Sequence, residues 1–463
     1  MYNSICLLLL LTFGFSAASA QTVRSTVSGL LTNEAGQPVP AASVLLVQEE
    51  TGWSRTATSD GDGEFLFPLL APGSYRLEVA KQGFRRHSQP LILQLNQELR
   101  LVMKLQTGPQ GDSVEVTATR SLLKPDTASM GTVIDTRQIR NLPLDGRNFL
   151  ELSLLAPGTV PAAQGSAGSA RGDFALNVNG SREDGNSFLL DGVYNGDPKL
   201  NTFGTVAAVD AIREFEVVTS TYDASFGRNG GAQVSVVLQS GSNQMHGSAY
   251  EFFRNAGMDA RNFFAPANEK DPRYQRNQFG FSLGGPIRRN RTFLFADYEG
   301  RRVREGITRV TNVPTALERS GDFSQSGLPY LIDPFTQQPF AGNRIPANRI
   351  SPIGANIAAL YPLPNRSGRG QNFVSSPLFI DRNDQFDVRL DHKLSQSSDL
   401  TVRYSFADRA FLEPFGGTSF AQVPGYGNDV PRRAQNLMAG HTHAFTPTLL
   451  NEFRAAFSRV ASQ

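Results

Sequence analysis

Between Asp384 and Ala407 apolar and polar residues alternate on both sides of a short polar turn. Phe386, Val388, Leu390 and Leu394 share one face of the first stretch, with His392 the one lapse, while Asp387, Arg389, Asp391 and Lys393 take the other. In the second stretch Leu400, Val402, Tyr404 and Phe406 oppose Thr401, Arg403 and Ser405. Side chains alternate faces along a strand, so the pattern predicts a hairpin with one apolar and one charged side. The period returns in "QFGFSLGGP", where Phe279, Phe281 and Leu283 oppose Gly280, Ser282 and Gly284, and in the aromatic-rich "RTFLFADYEG". In "TPTLLNEFRAAFSRV", Phe453, Ala455 and Phe457 oppose Glu452, Arg454 and Ser458. Each strand reads as roughly 8 to 10 residues, near the about 9 to 11 that a tilted strand needs to cross a bilayer. The hairpin alone fits two settings: a soluble core under the apolar face, or lipid outside and a wet lumen inside.

From Arg24 to Gln106 short strands alternate with turns: "STVSGLL", "ASVLLVQ", "SRTATS", "EFLF", "SYRLEVA", "LILQL" and "ELRLVMKL". Strands at this spacing predict a small β-sandwich. The "DGDG" of Asp60 to Gly63 reads as a hairpin turn, because the oxygen ligands of a full calcium loop do not follow Asp60 and Asp62. "TGPQGD", Thr107 to Asp112, has linker composition, and "SVEVTATR" after it is β-prone with no evident partner strand. Pro125 to Gly241 mixes helix signals, short strands and Gly-rich loops. Asp135 is a capping candidate for a short helix stopped by Pro143, and a second amphipathic turn runs from Asn148 to Leu155. Beyond Gln244 alternating strands with long polar connections take over, among them a Pro- and Asn-rich passage between Arg301 and Asn383 that suits a long loop.

"VSGLLTNEAGQPVPAASVLL" and "TATSDGDGEFLFPLLAPGSYRLEVAKQGF" resemble the carboxypeptidase regulatory-like domain, a transthyretin-like sandwich. "LPLDGRNF", "NGSREDGNSFLLDGV" and "TYDASFGRNGGAQVSVV" resemble the plug domain of TonB-dependent outer-membrane transporters, in particular the Oar-like branch with an amino-terminal regulatory sandwich. The resemblance implies a mainly β chain: signal peptide 1–20, sandwich 24–106, linker with a TonB box 107–124, small α+β plug 125–241, and part of a transmembrane antiparallel β-barrel over 242–463. It shifts the hairpin to the lipid setting, in the cell outer membrane, with the regulatory domain in the periplasm. The implied partners are TonB with its inner-membrane energising complex, outer-membrane lipid, and an extracellular ligand that is a siderophore, an oligosaccharide or a peptide. The TonB box falls on Asp112, Ser113, Val114, Glu115, Val116, Thr117 and Ala118. Pairing by strand addition uses backbone hydrogen bonds, so that segment needs β propensity more than particular side chains. The few strands after the plug and the ending "SRVASQ", without a terminal aromatic, lead us to expect a fragment or a truncated gene. The runner-up is a surface protein of this architecture serving adhesion or envelope organisation.

The chain has 463 residues, 40% hydrophobic and 19% charged, with net charge +2 and no block of like charge, so neither disorder nor nucleic-acid binding is expected. The apolar run Ile5 to Phe15 is too short to span a bilayer as a helix, and Ala18-Ser19-Ala20 fits cleavage between Ala20 and Gln21. "MYNS" lacks the usual basic residue, which leaves an uncleaved anchor as the alternative. The sole cysteine, Cys6, lies inside this signal, so the exported chain carries no disulfide. None of the five His is followed three residues on by Glu, and there is no G-x-S-x-G and no Gly-Lys dipeptide. His441 and His443 share a strand face, but two ligands without a third make no metal site. No enzyme, metal or cofactor is expected. The RGD of Arg171 to Asp173 reads as a chance tripeptide.

Overall fold

The computed structural model describes residues 24–109, 113–115, 129–163, 166, 174–222, 226–227, 229–260, 273–415, 423–446 and 449–462. The expected signal with its Ala20–Gln21 junction, the RGD, and Asp112 and Val116 to Ala118 of the expected TonB box lie outside the described residues.

Eight strands build the amino-terminal unit: β1 (Ser25–Thr32), β2 (Ser43–Gln48), β3 (Ser54–Thr58), β4 (Glu64–Leu70), β5 (Gly73–Ala80), β6 (Arg86–Leu93), β7 (Glu98–Lys104) and β8 (Ser113–Glu115). They form two sheets, β4-β1-β7 and β3-β2-β5-β6-β8. Alternate residues such as Val27, Leu46, Phe67, Leu77 and Leu93 meet between the sheets and are fully buried, which is the sandwich that the two-residue period predicts. Gly29 is required by close approach, since a Cβ there would lie 2.5 Å from the Phe65 ring. The "DGDG" stretch is a turn: Asp60 Oδ1 accepts the N–H groups of Asp62 (3.0 Å) and Glu64 (2.8 Å), and Gly63 sits at φ 76°. One expectation is corrected here. The first three residues of "SVEVTATR" do have a partner, because β8 pairs in parallel with β6, Ser113 opposite Arg86 and Glu115 opposite Ser88. That partner is distant in sequence and parallel, a pairing that no local hairpin signal announces.

The middle unit contains β9 (Met130–Asp135), β10 (Thr159–Pro161), β11 (Leu176–Val178), β12 (Ser187–Leu190), β13 (Val193–Tyr194), β14 (Ile212–Ser220) and β15 (Gln233–Leu238). Its main sheet has the order β13-β12-β15-β14-β9. Asp135 caps the helix Thr136–Asn141 through a reciprocal box with Gln138, and a 3₁₀ helix follows over Phe149–Leu155. Phe149 stacks edge-on against Phe215 and Phe203, at centroid distances of 5.4 and 5.9 Å, to close a core of its own.

The remaining strands are β16 (His246–Asn255), β17 (Tyr274–Arg288), β18 (Thr292–Gly306), β19 (Arg309–Thr311), β20 (Phe373–Ser375), β21 (Leu378–Ser395), β22 (Ser398–Glu413), β23 (Asn428–Thr446) and β24 (Leu449–Ser462). Seven of them form one open antiparallel wall, β16-β17-β18-β21-β22-β23-β24. β21 and β22 have 18 and 16 residues, longer than the alternation suggests, because the ladder of backbone hydrogen bonds runs on past the point where apolar side chains give way to polar ones. The apolar face of the hairpin is continuous across the wall: Leu294, Leu390 and Val402 lie side by side, as do Tyr298, Phe386 and Phe406. Short turns join strands at one end of the wall. At the other, β18 and β21 are joined by a structured loop in which Arg349 grips Asp333 with two bonds of 2.7 and 2.8 Å, and its Val313 and Phe373 form a small core with Val423 from the connection between β22 and β23.

The sandwich core stands without its neighbours, so residues 24–106 expressed alone are expected to melt cooperatively, unmoved by a chelator. In that fragment Leu77→Ala should cost about 2–5 kcal/mol, against less than about 0.5 kcal/mol for the exposed Val102→Ala. A non-cooperative melt by circular dichroism would show that the unit depends on the rest of the chain.

Candidate functional site

The polar face of the wall does not look into an empty lumen. Asp387, Arg403 and Ser405 are buried, and Arg389 is nearly so, because the middle unit fills the space in front of them. The seat is organised by one turn. "LLDGVY" places Asp191 and Gly192 at φ 49° and 77° between the antiparallel β12 and β13, the two-residue turn for which Asp-Gly is favoured. The Asp191 carboxylate therefore stands at a tip, where it pairs with Arg403 Nε at 3.0 Å and Arg389 Nη1 at 3.4 Å. It also accepts the Leu238 N–H at 3.1 Å. Arg403 further donates to Asn436 Oδ1 (2.7 Å), Ser405 Oγ (2.6 Å) and the Leu190 carbonyl (3.3 Å), and Asn436 donates to the Tyr194 carbonyl at 3.0 Å.

Toward the loop end the same device repeats. Arg432 meets Asp197 at 3.2 Å and the Phe203 carbonyl at 2.9 Å. Arg147 pairs with Asp210, lies 3.5 Å from Glu299 and stacks on the Tyr250 ring at 4.2 Å. A cavity of about 120 Å³ lies here between the middle unit and the wall, lined among others by Arg147, Gln278, Glu299, Arg301 and Arg409. Arg301 and Arg409 are both held by Asp381, at 2.8 and 3.0 Å, so an anionic group entering this cavity must compete with carboxylates already in place.

At the short-turn end the sandwich meets both other units. Leu95 N–H donates to Glu214 Oε2 at 2.9 Å and Asn96 Nδ2 to Glu216 Oε2 at 2.7 Å. Arg213 pairs with Glu50 at 2.9 Å, and Trp53 Nε1 donates to Asp399 at 2.9 Å. Burial raises the Glu214 carboxyl from its ordinary 4.5 to about 7, with the Leu95 N–H and Arg213 pulling the other way and Asp135 and Glu216 adding to the rise.

Of the residues singled out from the sequence, Ser113, Val114 and Glu115 form β8 on the edge of the sandwich. His441 and His443 stack at 6.1 Å, with His441 Nε2 on Ser398 Oγ at 2.7 Å. Among the described residues no group of three or more potential metal ligands comes together. Sequence reasoning missed Asp191, Arg403, Glu214 and Trp53 as contact residues. Only Asp191 carried a usable signal, its Asp-Gly turn between apolar flanks.

A wall of strands with an apolar outer face, carrying a sandwich and a seated middle unit, defines an outer-membrane β-barrel protein. Residues 237–463 match the outer membrane beta barrel domain family and residues 26–106 the carboxypeptidase regulatory-like domain family. The chain is a homologue of the TonB-dependent transporter Oar of Myxococcus xanthus, 25% identical over 312 residues that cover 64% of this chain and 28% of that protein. It thus spans well under a third of that relative's length. Among solved structures, the ferric enterobactin receptor of Pseudomonas aeruginosa aligns with TM-score 0.45 at 13% identity, covering 72% of this chain and 41% of the receptor. The outer membrane transporter YddB of Escherichia coli aligns with TM-score 0.44 at 11% identity, covering 68% and 37%.

The buried ion pairs make Asp191 the sensitive position. Asp191→Asn keeps the turn but leaves Arg389 and Arg403 without their shared carboxylate, and loss of one partner of such a pair costs about 3–5 kcal/mol. The urea midpoint of the folded protein in detergent should fall accordingly, while Arg182→Ala, on an exposed surface, leaves it in place. Arg389→Ala should also destabilise, contrary to what a water-filled lumen would imply.

Glu214 predicts a pH dependence whose sign follows from linkage. A carboxyl with a raised pKa binds its proton more tightly in the folded protein than in the unfolded chain. Its contribution to folding stability should therefore be fullest below the ordinary 4.5 and be lost as pH rises through about 7. Thermal melts at pH 5.5 and 8 should differ less in Glu214→Gln than in the parent protein, and an unchanged difference would assign the effect to other groups.

Proposed function

We infer that this protein works as a TonB-dependent outer-membrane receptor and transporter that takes up a nutrient ligand into the periplasm. Residues 125–241 act as its plug, Asp112 to Ala118 as its TonB box, and residues 1–20 as its signal peptide. The observation that carries the reading is the seat of the middle unit. Its apolar core is built from its own residues apart from Phe295 of the wall, and its polar junction with the wall is a set of ion pairs and hydrogen bonds centred on Asp191. Polar pairs of that kind are exchangeable for water, so a pull can loosen the unit without unfolding the wall. Homology to the Oar transporter supports the same reading.

In outer-membrane barrels short turns face the periplasm and long loops the exterior, which sets the sandwich and β8 on the periplasmic side, within reach of TonB. The ligand enters from the loop side, toward the cavity lined by Arg147 and Glu299. Siderophore, oligosaccharide and peptide remain its candidate classes. The chemistry is mechanical, and no catalytic residue, metal or cofactor is assigned.

Val116→Pro tests the reading, because proline removes the backbone donor at that position and fixes φ near about −65°. Cells carrying it should bind ligand at the surface and fail to accumulate it, while Val116→Ile accumulates it normally. Uptake that survives the proline would move the TonB contact elsewhere. Surface binding in the parent without any energised uptake would favour adhesion or envelope organisation instead.

A further inference from the structure

The sandwich is fixed over the short-turn end of the plug by contacts that none of its own folding requires. Leu95, just after β6, is fully buried, yet it stands apart from the sandwich core and packs on Val237 in β15 of the plug. On either side of that contact the Leu95 N–H and the Asn96 amide are bonded to Glu214 and Glu216 of β14. Glu50, after β2, holds Arg213 through its side chain and accepts the Asn243 N–H at 2.9 Å through its carbonyl. The same unit reaches the wall, through Trp53 to Asp399 in β22 and through Arg24 to Glu452 in β24 at 3.4 Å. β14 lies inside the plug sheet, between β15 and β9. A body attached at once to β14, β22 and β24 ties the plug to the wall.

Two features suit this tie to opening. It is largely polar, with Leu95 on Val237 as its apolar cluster among the described residues, and polar contacts between units that fold by themselves behave like a transient interface. In addition, the strand that leads into Leu95 and Asn96 is β6, and β6 is the strand that carries β8 on its outer edge. A load applied to residues 113–115 thus bears on the element that ends in the plug contact.

We propose that the amino-terminal sandwich is a periplasmic cap that holds the plug to the wall at rest, and that it must leave β14 before the plug can be drawn. Capture of residues 113–115 by TonB acts on this cap through β6. The inference rests on the TonB-dependent reading given above, and extends it by assigning the regulatory-like domain a place in the cycle.

The experiment uses the full-length protein in cells with Leu95→Cys and Val237→Cys together; the sequence's only native cysteine is Cys6. A disulfide between the two should form readily when cells are de-energised by an uncoupler or lack TonB, and its yield should fall several-fold in energised cells. Equal yields in the two states overturn the cap. A separate Glu115→Cys, tested for cross-linking to a cysteine-bearing TonB, distinguishes the two levels. Cross-links to TonB with an unchanged 95–237 yield overturn the cap and leave the transporter reading standing, whereas absence of both removes the two together. A second variant avoids reliance on the disulfide. Asn96→Asp sets a carboxylate against Glu216, and should raise maleimide labelling of Val237→Cys in de-energised cells several-fold, with heat-modifiability on gels confirming that the barrel still assembles. Labelling that stays at the parent's rate in the assembled variant overturns the proposal.

Discussion

The structure depends on the compensation of charge where the polar face of the wall is buried. Strands that turn an apolar face to lipid must turn the alternate face inward, and a body seated against that face takes its charges out of water. The desolvation is offset only if each buried ion finds a partner of opposite sign and its remaining donors find acceptors. Asp191 supplies the partner for Arg389 and Arg403 together. Backbone carbonyls of Leu190, Tyr194, Phe203 and Leu238 accept further N–H groups of Arg403, Asn436, Arg432 and Arg389. The middle unit is in this sense a set of acceptors shaped to the donors of the wall.

That arrangement separates what makes each unit fold from what joins the units. The sandwich and the middle unit each close an apolar core of their own. Their junctions are polar almost throughout. Phe295 of β18 is an exception, a wall residue buried in the core of the middle unit, and Leu95 is its counterpart at the sandwich end. Apolar contacts hold regardless of small shifts, whereas ion pairs demand geometry. The polar junctions therefore set where the units sit, and their cores decide that they persist as bodies when the junction opens.

The carboxylates of Glu214 and Glu216 and the guanidinium of Arg213, which hold the sandwich to the middle unit, come from β14, the strand placed between β15 and β9. Glu214 is buried at that junction and its carboxyl is raised to about 7. The cost of keeping it there is greatest when it is ionised, so this contact is poised rather than locked near neutral pH. The loop end is organised differently: Arg301 and Arg409 share Asp381, which keeps the cavity walls in place with no help from the sandwich.

Much of this was legible in the sequence. The two-residue period along Phe386, Val388 and Leu390 determined which face of the wall is apolar, because the pleat forces alternate side chains to opposite sides whatever lies beyond them. The Asp135 cap and the "DGDG" turn were equally local and took the expected conformations. What the sequence could not determine was the occupant of the charged side. Asp387, Arg389 and Arg403 read the same whether they face water or a folded unit, and only the tertiary structure brought Asp191, some two hundred residues away, into their midst. The partner of β8 and the junction of Leu95, Asn96 and Glu50 with β14 were decided in the same way. Local patterning is set by the geometry of one chain segment, while the pairing of distant charges and strand edges depends on how complete bodies pack, and no short stretch of residues encodes it.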